Sequence, residues 1–230
     1  MTALRRAQID FTAPDAIARL AAVVEPGCVV LHSVPSLEGN ADAELVRGLA
    51  GKARRVVYLS TTGVYGDARL VDEVTPRAPR SAREQARVNT ECAVEAGPWS
   101  ALILRPAAIY GPGRGVHVSM AKGRYTLLGD GSNYISRIHV DDLAALTEAA
   151  LLAELTGAYP VADAHPCTSR EVAEYCAATF GLPMPVSASG GEVPMSRRGN
   201  RQVDGRAIFA ALGVRVRYPS YREGLAAEMR

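Results

Sequence analysis

The chain reads as an α/β protein, a parallel sheet flanked by helices. Three observations predict it. Short runs rich in β-branched residues alternate with helix-like patterns along the sequence. The runs are apolar on both faces, as strands covered by helices on each side must be. At 230 residues, 48% of them hydrophobic, the chain suffices for one full domain or for a domain carrying a small second lobe.

The elements follow in order. Residues 3–9 predict a strand, and Thr12-Ala13-Pro14-Asp15 reads as a capping box with an early proline, opening a helix with Ile17, Leu20, Ala21 and Val24 on one face. Gly27 ends that helix, and Cys28 to His32 is a buried strand. A helix around Ala43 to Leu49 and a strand over 55–60 come next. Ser81 to Glu84 is a second capping box, starting a helix that runs to Gly97-Pro98. Strand 101–105, helix 140–153, strand 157–162 and helix 168–180, closed by Gly181, continue the alternation. Residues 204–212 and 220–229 are short terminal helices, and the Pro/Gly/Ser-rich stretch 181–200 is a loop.

Composition excludes several functions. A net charge of +2 is too balanced for a nucleic-acid footprint. No run of eighteen apolar residues predicts a membrane span, and the N-terminus lacks a signal peptide's apolar stretch, so a cytoplasmic protein is expected. Cys28, Cys92, Cys167 and Cys176 form no CxxC pair and read as small buried hydrophobes of a reducing compartment. His32, His117, His139 and His165 are equally scattered, and no metal-ligand spacing exists.

Ligands of open α/β sheets bind beyond the carboxyl ends of strands. Three such ends stand out. The strand at 55–60 runs into the hydroxyls Ser60, Thr61 and Thr62; the strand at 28–32 ends in His32-Ser33-Val34-Pro35; and the strand at 101–105 ends in Arg105-Pro106-Ala107-Ala108. The three ends can converge on one crevice.

With these segments placed, the chain resembles the extended and atypical short-chain dehydrogenase/reductases of the epimerase/dehydratase superfamily. The matching pieces are "VVYLSTTGVYGD", "VDEVTPRAPRS", "LILRPAAIYGPGR", "SRIHVDDLA" and "YPVADAHPCTSREV", in the family's order and spacing. The resemblance implies a Rossmann-like NAD(P)-binding domain over 1–115 and 136–165, with a small C-terminal substrate lobe over 116–135 and 166–230. It implies NAD or NADP as cofactor and a sugar nucleotide or another hydroxyl or carbonyl compound as the small-molecule substrate. A homodimer through the helices near 41–50 and 82–96 is implied in the same way.

The family places a substrate-contacting hydroxyl at the position of Thr61. Such a group donates to a developing alkoxide and accepts from an alcohol, so it serves hydride transfer in both directions. The bland alternative is that Thr61 satisfies backbone groups at the strand end. Family members pair this hydroxyl with Tyr-xxx-Lys on the next helix. Those positions here are Arg83 and Arg87. Arg87 can hold a ribose or phosphate oxygen, whereas an arginine at 83 shuttles no proton near neutral pH; both can equally be solvated surface residues.

Further contacts implied by the resemblance are Asp10, His32, Ser33, Val34, Ser60, Arg105, Pro106, Ala107 and Ala108 toward the cofactor. Arg83, Tyr110, Arg137 and His139 are implied toward the substrate. Tyr110 and Tyr65 are substitute acids or packing residues, and His139 is expected to bury against the following helix, whose first turn carries Asp141 and Asp142. Thr62-Gly63 stand where dehydratases carry an acidic pair, which disfavours dehydration.

The family's GxxGxxG fingerprint does not occur in these 230 residues. Measured against the family, the sequence begins near the third strand. The expectation is a smaller sheet in which residues 3–9 pair directly with the strand at 28–32. A non-catalytic NAD(P)-binding module, or an inactive fragment, stands as the alternative to an enzyme.

Overall fold

The computed structural model describes residues 9–34, 40–189, 191–193 and 198–228. The expected strand at 3–9 therefore lies almost wholly outside the described residues. Helix α1 (Ala16–Val23) comes first. The capping box expected at Thr12 does not form. Asp10 Oδ1 accepts from both the N–H and the hydroxyl of Thr12, at 3.0 and 2.7 Å, so Thr12 turns back on Asp10 and Asp15 is left as N-cap without a side-chain capping bond, its Oδ2 accepting instead from Arg19 Nε at 2.7 Å.

Strand β1 (Cys28–His32), helix α2 (Ala41–Arg47) and strand β2 (Ala53–Leu59) follow. A single 3₁₀ turn (Thr62–Tyr65), the short strand β3 (Leu70–Val71) and helix α3 (Ala82–Glu95) continue the chain. The second capping box forms as expected: Glu84 N–H donates to Ser81 Oγ at 3.2 Å, and Ser81 N–H donates to Glu84 Oε2 at 3.1 Å. Beyond it lie β4 (Ser100–Pro106), β5 (Ala108–Tyr110), α4 (Val116–Ala121), β6 (Leu127–Leu128), β7 (Arg137–His139) and α5 (Val140–Leu152). The remaining elements are β8 (Gly157–Val161), α6 (Ser169–Phe180), β9 (Ser187–Ala188), β10 (Gln202–Val203), α7 (Arg206–Leu212) and α8 (Tyr221–Ala227).

The main sheet has the order β1-β2-β4-β8, with β1, β2 and β4 paired in parallel. This is the expected parallel sheet flanked by helices, and β2 is an inner strand, as its apolar run predicts. Val56, Val57 and Tyr58 are fully buried. Three small parallel pairs, β3 with β10, β5 with β7 and β6 with β9, complete the strands among the described residues.

By contact the chain divides into two units. One comprises residues 1–66, 77–104 and 148–158, the other 67–76, 105–147 and 159–230. The lobes drawn from the sequence, with edges at 115, 136 and 165, follow expected role rather than contact. The first unit's core gathers Leu20, Leu45, Val46, Leu49, Val56, Tyr58, Val94 and Ile103; the second has a core around Tyr110, Met120, Leu127, Val172, Cys176, Tyr221 and Leu225. All four cysteines are free thiols, and the expectation of burial holds for Cys167 and Cys176. Cys92 is exposed and Cys28 half-buried, because Cys92 falls on the outward side of α3, between the buried Glu91 and Ala93.

One buried cation is central to the first unit. Arg55 of β2, 1% exposed, donates from Nε and Nη2 to Ala150 O at 3.0 and 2.8 Å, from Nη2 to Leu155 O at 2.9 Å, and from Nη1 to Ser100 Oγ at 2.6 Å. Ala150 lies in the last turn of α5, where carbonyls lack intrahelical partners, so Arg55 caps that helix. Arg55→Leu strands these acceptors, and urea unfolding should show a loss of about 3 kcal/mol or more. A loss under about 0.5 kcal/mol would remove the cap from the account of this unit's stability.

Candidate functional site

In the first unit the polar residues at the ends of β1 and β2 are held by α2 and α3. His32 ends β1 and stands in register with Tyr58 of β2. The two rings stack, with centroids 5.1 Å apart. His32 Nε2 donates to Asp42 Oδ1 of α2 at 2.7 Å, and Thr90 Oγ1 of α3 donates to Asp42 Oδ2 at 3.3 Å. Arg87 Nη1 donates to Tyr58 OH at 2.7 Å and to Val34 O at 3.4 Å, and lies 3.7 Å from Asp42 Oδ2. Burial pushes the Tyr58 hydroxyl up to about 12, even though the adjacent guanidinium of Arg87 pulls it down. Tyr58 therefore keeps its proton at neutral pH and acts as a fixed partner of Arg87.

A second chain of contacts holds the next residues. Ser60 Oγ donates to Glu91 Oε1 at 2.6 Å, and Arg77 Nη1 reaches Glu91 Oε2 at 3.3 Å and Glu95 Oε2 at 3.2 Å. Glu91 is fully buried. Thr61 follows in extended backbone, and its Oγ1 accepts from Gly63 N–H at 3.1 Å, capping the 3₁₀ turn. The turn closes at Gly66, with φ +57°, where a Cβ would stand 2.1 Å from Ala78 O; only glycine fits.

The expected site residues of this unit are thus distributed unevenly. His32, Val34 and Arg87 come together in one network, Ser60 belongs to the Glu91 chain, and Thr61 stands half-buried at the strand end. Ser33 and Arg83 are exposed, and Asp10 sits in the turn before α1. Asp42, Tyr58 and Glu91 are partners that the sequence reading missed. Asp42 carried a legible signal: it begins an i, i+3, i+4, i+7 stripe with Leu45, Val46 and Leu49, so a carboxylate occupies a core-facing position.

In the second unit Arg105, Pro106 and Ala107 are buried, and Ala108 is exposed. Ala107 N–H donates to Val161 O at 2.9 Å and Ala108 N–H to Ser136 O at 3.1 Å, so both backbone donors are engaged. Tyr110 OH donates to Ser220 O at 3.2 Å, and burial together with Asp163 and Asp142 raises its pKa well above the ordinary phenol value. The ring belongs to the buried cluster of the second unit. His139 is buried as expected: Nδ1 accepts from Asp141 N–H at 3.2 Å, and the ring lies 4.0 Å from Tyr218 and 5.1 Å from Tyr110. Buried Arg137 donates from Nη1 to Ile135 O and to Cys167 Sγ, the latter at 3.0 Å, and burial pushes the Cys167 thiol up to about 11.

A parallel sheet whose inner strand ends in hydroxyls, backed by an arginine-bearing helix, defines a Rossmann-like α/β protein. The chain belongs to the NAD dependent epimerase/dehydratase family, whose description its residues 2–161 match. It is similar to a 3-diazoavenalumate denitrifying reductase from a Streptomyces species, 28% identical over 165 residues, 64% of this chain and 53% of that protein. A conserved protein of unknown function from Silicibacter pomeroyi superposes with a TM-score of 0.75 at 33% identity, covering 94% of this chain and 87% of that one. MoeE5 in complex with UDP-glucose and NAD superposes with a TM-score of 0.76 at 21% identity, covering 95% and 82%. The chain spans 53% to 61% of the length of the curated relatives it matches.

A nicotinamide dinucleotide fits part of this arrangement. Thr61 offers a hydroxyl whose orientation the Gly63 N–H fixes, and a threonine hydroxyl with one lone pair engaged still has a proton to donate. The fit is poorer at the phosphates and ribose. The sequence has no GxxGxxG cradle, and Arg87 Nη1 is already shared by Tyr58, Val34 and Asp42.

Proposed function

We propose that the protein is an NAD(P)-dependent oxidoreductase or epimerase-like protein acting on the hydroxyl or carbonyl of a sugar nucleotide or a similar small molecule. The observation that carries this reading is Thr61, a half-buried hydroxyl of fixed orientation at the end of an inner parallel strand, in a chain of the epimerase/dehydratase family. The cofactor, when bound, gives or takes the hydride. Thr61 orients the reacting oxygen, and the His32–Asp42–Arg87–Tyr58 network holds Val34, at the end of β1, in place. Sugar nucleotides lead the substrate panel because MoeE5 holds one.

Binding is tested by NADH and NADPH fluorescence, and turnover by hydride transfer to UDP-sugars and simple ketones. Failure of both nucleotides to bind at millimolar concentration rejects the reading. A second reading, a binding module without turnover, is favoured by Arg83 standing exposed where the family carries its acid/base tyrosine. It expects nucleotide binding with no hydride transfer and an affinity unchanged by Thr61→Val.

A homodimer through α2 and α3 belongs to the same proposal. Its contact would be polar, since the outward side chains include Glu44, Arg47, Arg83, Gln85 and Glu95. Light scattering should then show a dimer that dissociates as salt rises. A monomer at every concentration and ionic strength rejects it.

A further inference from the structure

The second unit contains a deeply buried carboxyl, that of Asp163. Asp163 follows β8 and is 2% exposed. Its N–H donates to Arg137 O at 2.7 Å, and its Oδ1 accepts from His165 N–H at 3.2 Å. Its Oδ2 is buried and has no hydrogen-bond partner among the described residues. An ionised oxygen left this way is costly, whereas a neutral carboxyl costs far less.

Asp163 sits where the C-terminal segment is fastened. Ala164 N–H donates to Pro219 O at 3.1 Å. Asp142, itself buried at the start of α5, accepts from Arg217 N–H at 2.7 Å and Tyr218 N–H at 2.9 Å. Tyr110 OH holds Ser220 O at 3.2 Å, and Gly224 packs so closely on that hydroxyl that a Cβ would stand 2.2 Å away. The groups acting on Asp163 come from every neighbouring element. Arg137 of β7 favours its charge, while Asp142 of α5 and Glu223 of α8 oppose it; Tyr110 of β5 and Cys167 lie within its field.

We propose that Asp163 is a pH-sensitive latch on the segment from Arg217 to Glu228, docking it when the carboxyl is protonated and loosening it when the carboxyl ionises. Burial first, then Asp142 and Glu223, raise the Asp163 pKa to about 7 against the His165 N–H and Arg137. The sign follows from linkage. The docked carboxyl keeps its proton up to about pH 7, while the undocked, solvated one releases it in the ordinary carboxylate range. Docking is therefore fully favoured below that range, weakens as pH rises toward about 7, and is unchanged above it.

Amide hydrogen exchange on the full chain, corrected for intrinsic base catalysis, tests this directly. Between pH 5 and 7 the opening constant of residues 217–228 should rise by up to roughly tenfold per pH unit, then level off. Asp163→Asn should flatten that slope. Glu223→Gln, a change at an exposed position, removes a like charge and should move the levelling-off to lower pH. An Asp163→Asn protein with the wild-type slope overturns the latch. Should that variant not fold, an unmoved profile in Glu223→Gln, or a wild-type profile with no slope, overturns it equally.

Discussion

Asp42→Ala should cost about 3–5 kcal/mol in urea unfolding, since it breaks a buried ionic network by removing one member. Asp42 is 2% exposed and serves His32, Thr90 and Arg87 at once. The alanine leaves the imidazole N–H without its acceptor and the Arg87 guanidinium without its carboxylate. Asp42→Asn keeps the shape and an acceptor for His32 but not the charge, so roughly half of the loss should return. Tyr58→Phe, which removes Arg87's other close partner, should couple to Asp42→Asn in a double-mutant cycle, because both act on one guanidinium. Additive losses would mean that the two contacts act on Arg87 independently, without coupling, and a loss below about 1 kcal/mol for Asp42→Ala would place the network's worth outside folding.

Thr61→Val should separate stability from chemistry. The valine has nearly the same shape but offers Gly63 N–H no acceptor, a loss like that of a helix cap, about 1 kcal/mol. On the proposed function, it also removes the donor facing the reacting oxygen, and kcat for hydride transfer should fall about 10²–10³-fold while nucleotide affinity stays within a few-fold. Thr61→Ser restores both the cap and the donor, and should recover most of each loss. Turnover by Thr61→Val within a factor of about two of wild type would leave Thr61 as a cap alone.

Local chemistry was legible in the sequence and distant partnership was not. The box at Ser81 forms because its reciprocal bonds close within four residues, with no rival nearby. The box at Thr12 fails because Asp10, two residues earlier, takes both donors of Thr12. The inner strands β2 and β4 announce themselves by continuous apolar runs. Strands of two or three residues such as β3 and β7 do not, since Leu70 and Val71 become a strand only by meeting Gln202 and Val203. The hydroxyls at the end of β2 were visible, but their supports were not. Ser60 finds Glu91 thirty-one residues on, and Arg87 finds Tyr58 twenty-nine residues back. Pairings at such separations are made by the fold and leave no local pattern to read.

The cap that Arg55 places on α5 also bears on the order in which the chain is made. Its carbonyl partners, Ala150 and Leu155, lie 95 and 100 residues downstream. During synthesis at about 5–20 residues per second, the cation of β2 waits about 5–20 seconds for acceptors that do not yet exist. Until residue 155 has left the ribosome, burying β2 would enclose an unmatched charge. Nascent chains stopped short of that point should therefore remain open and chaperone-bound.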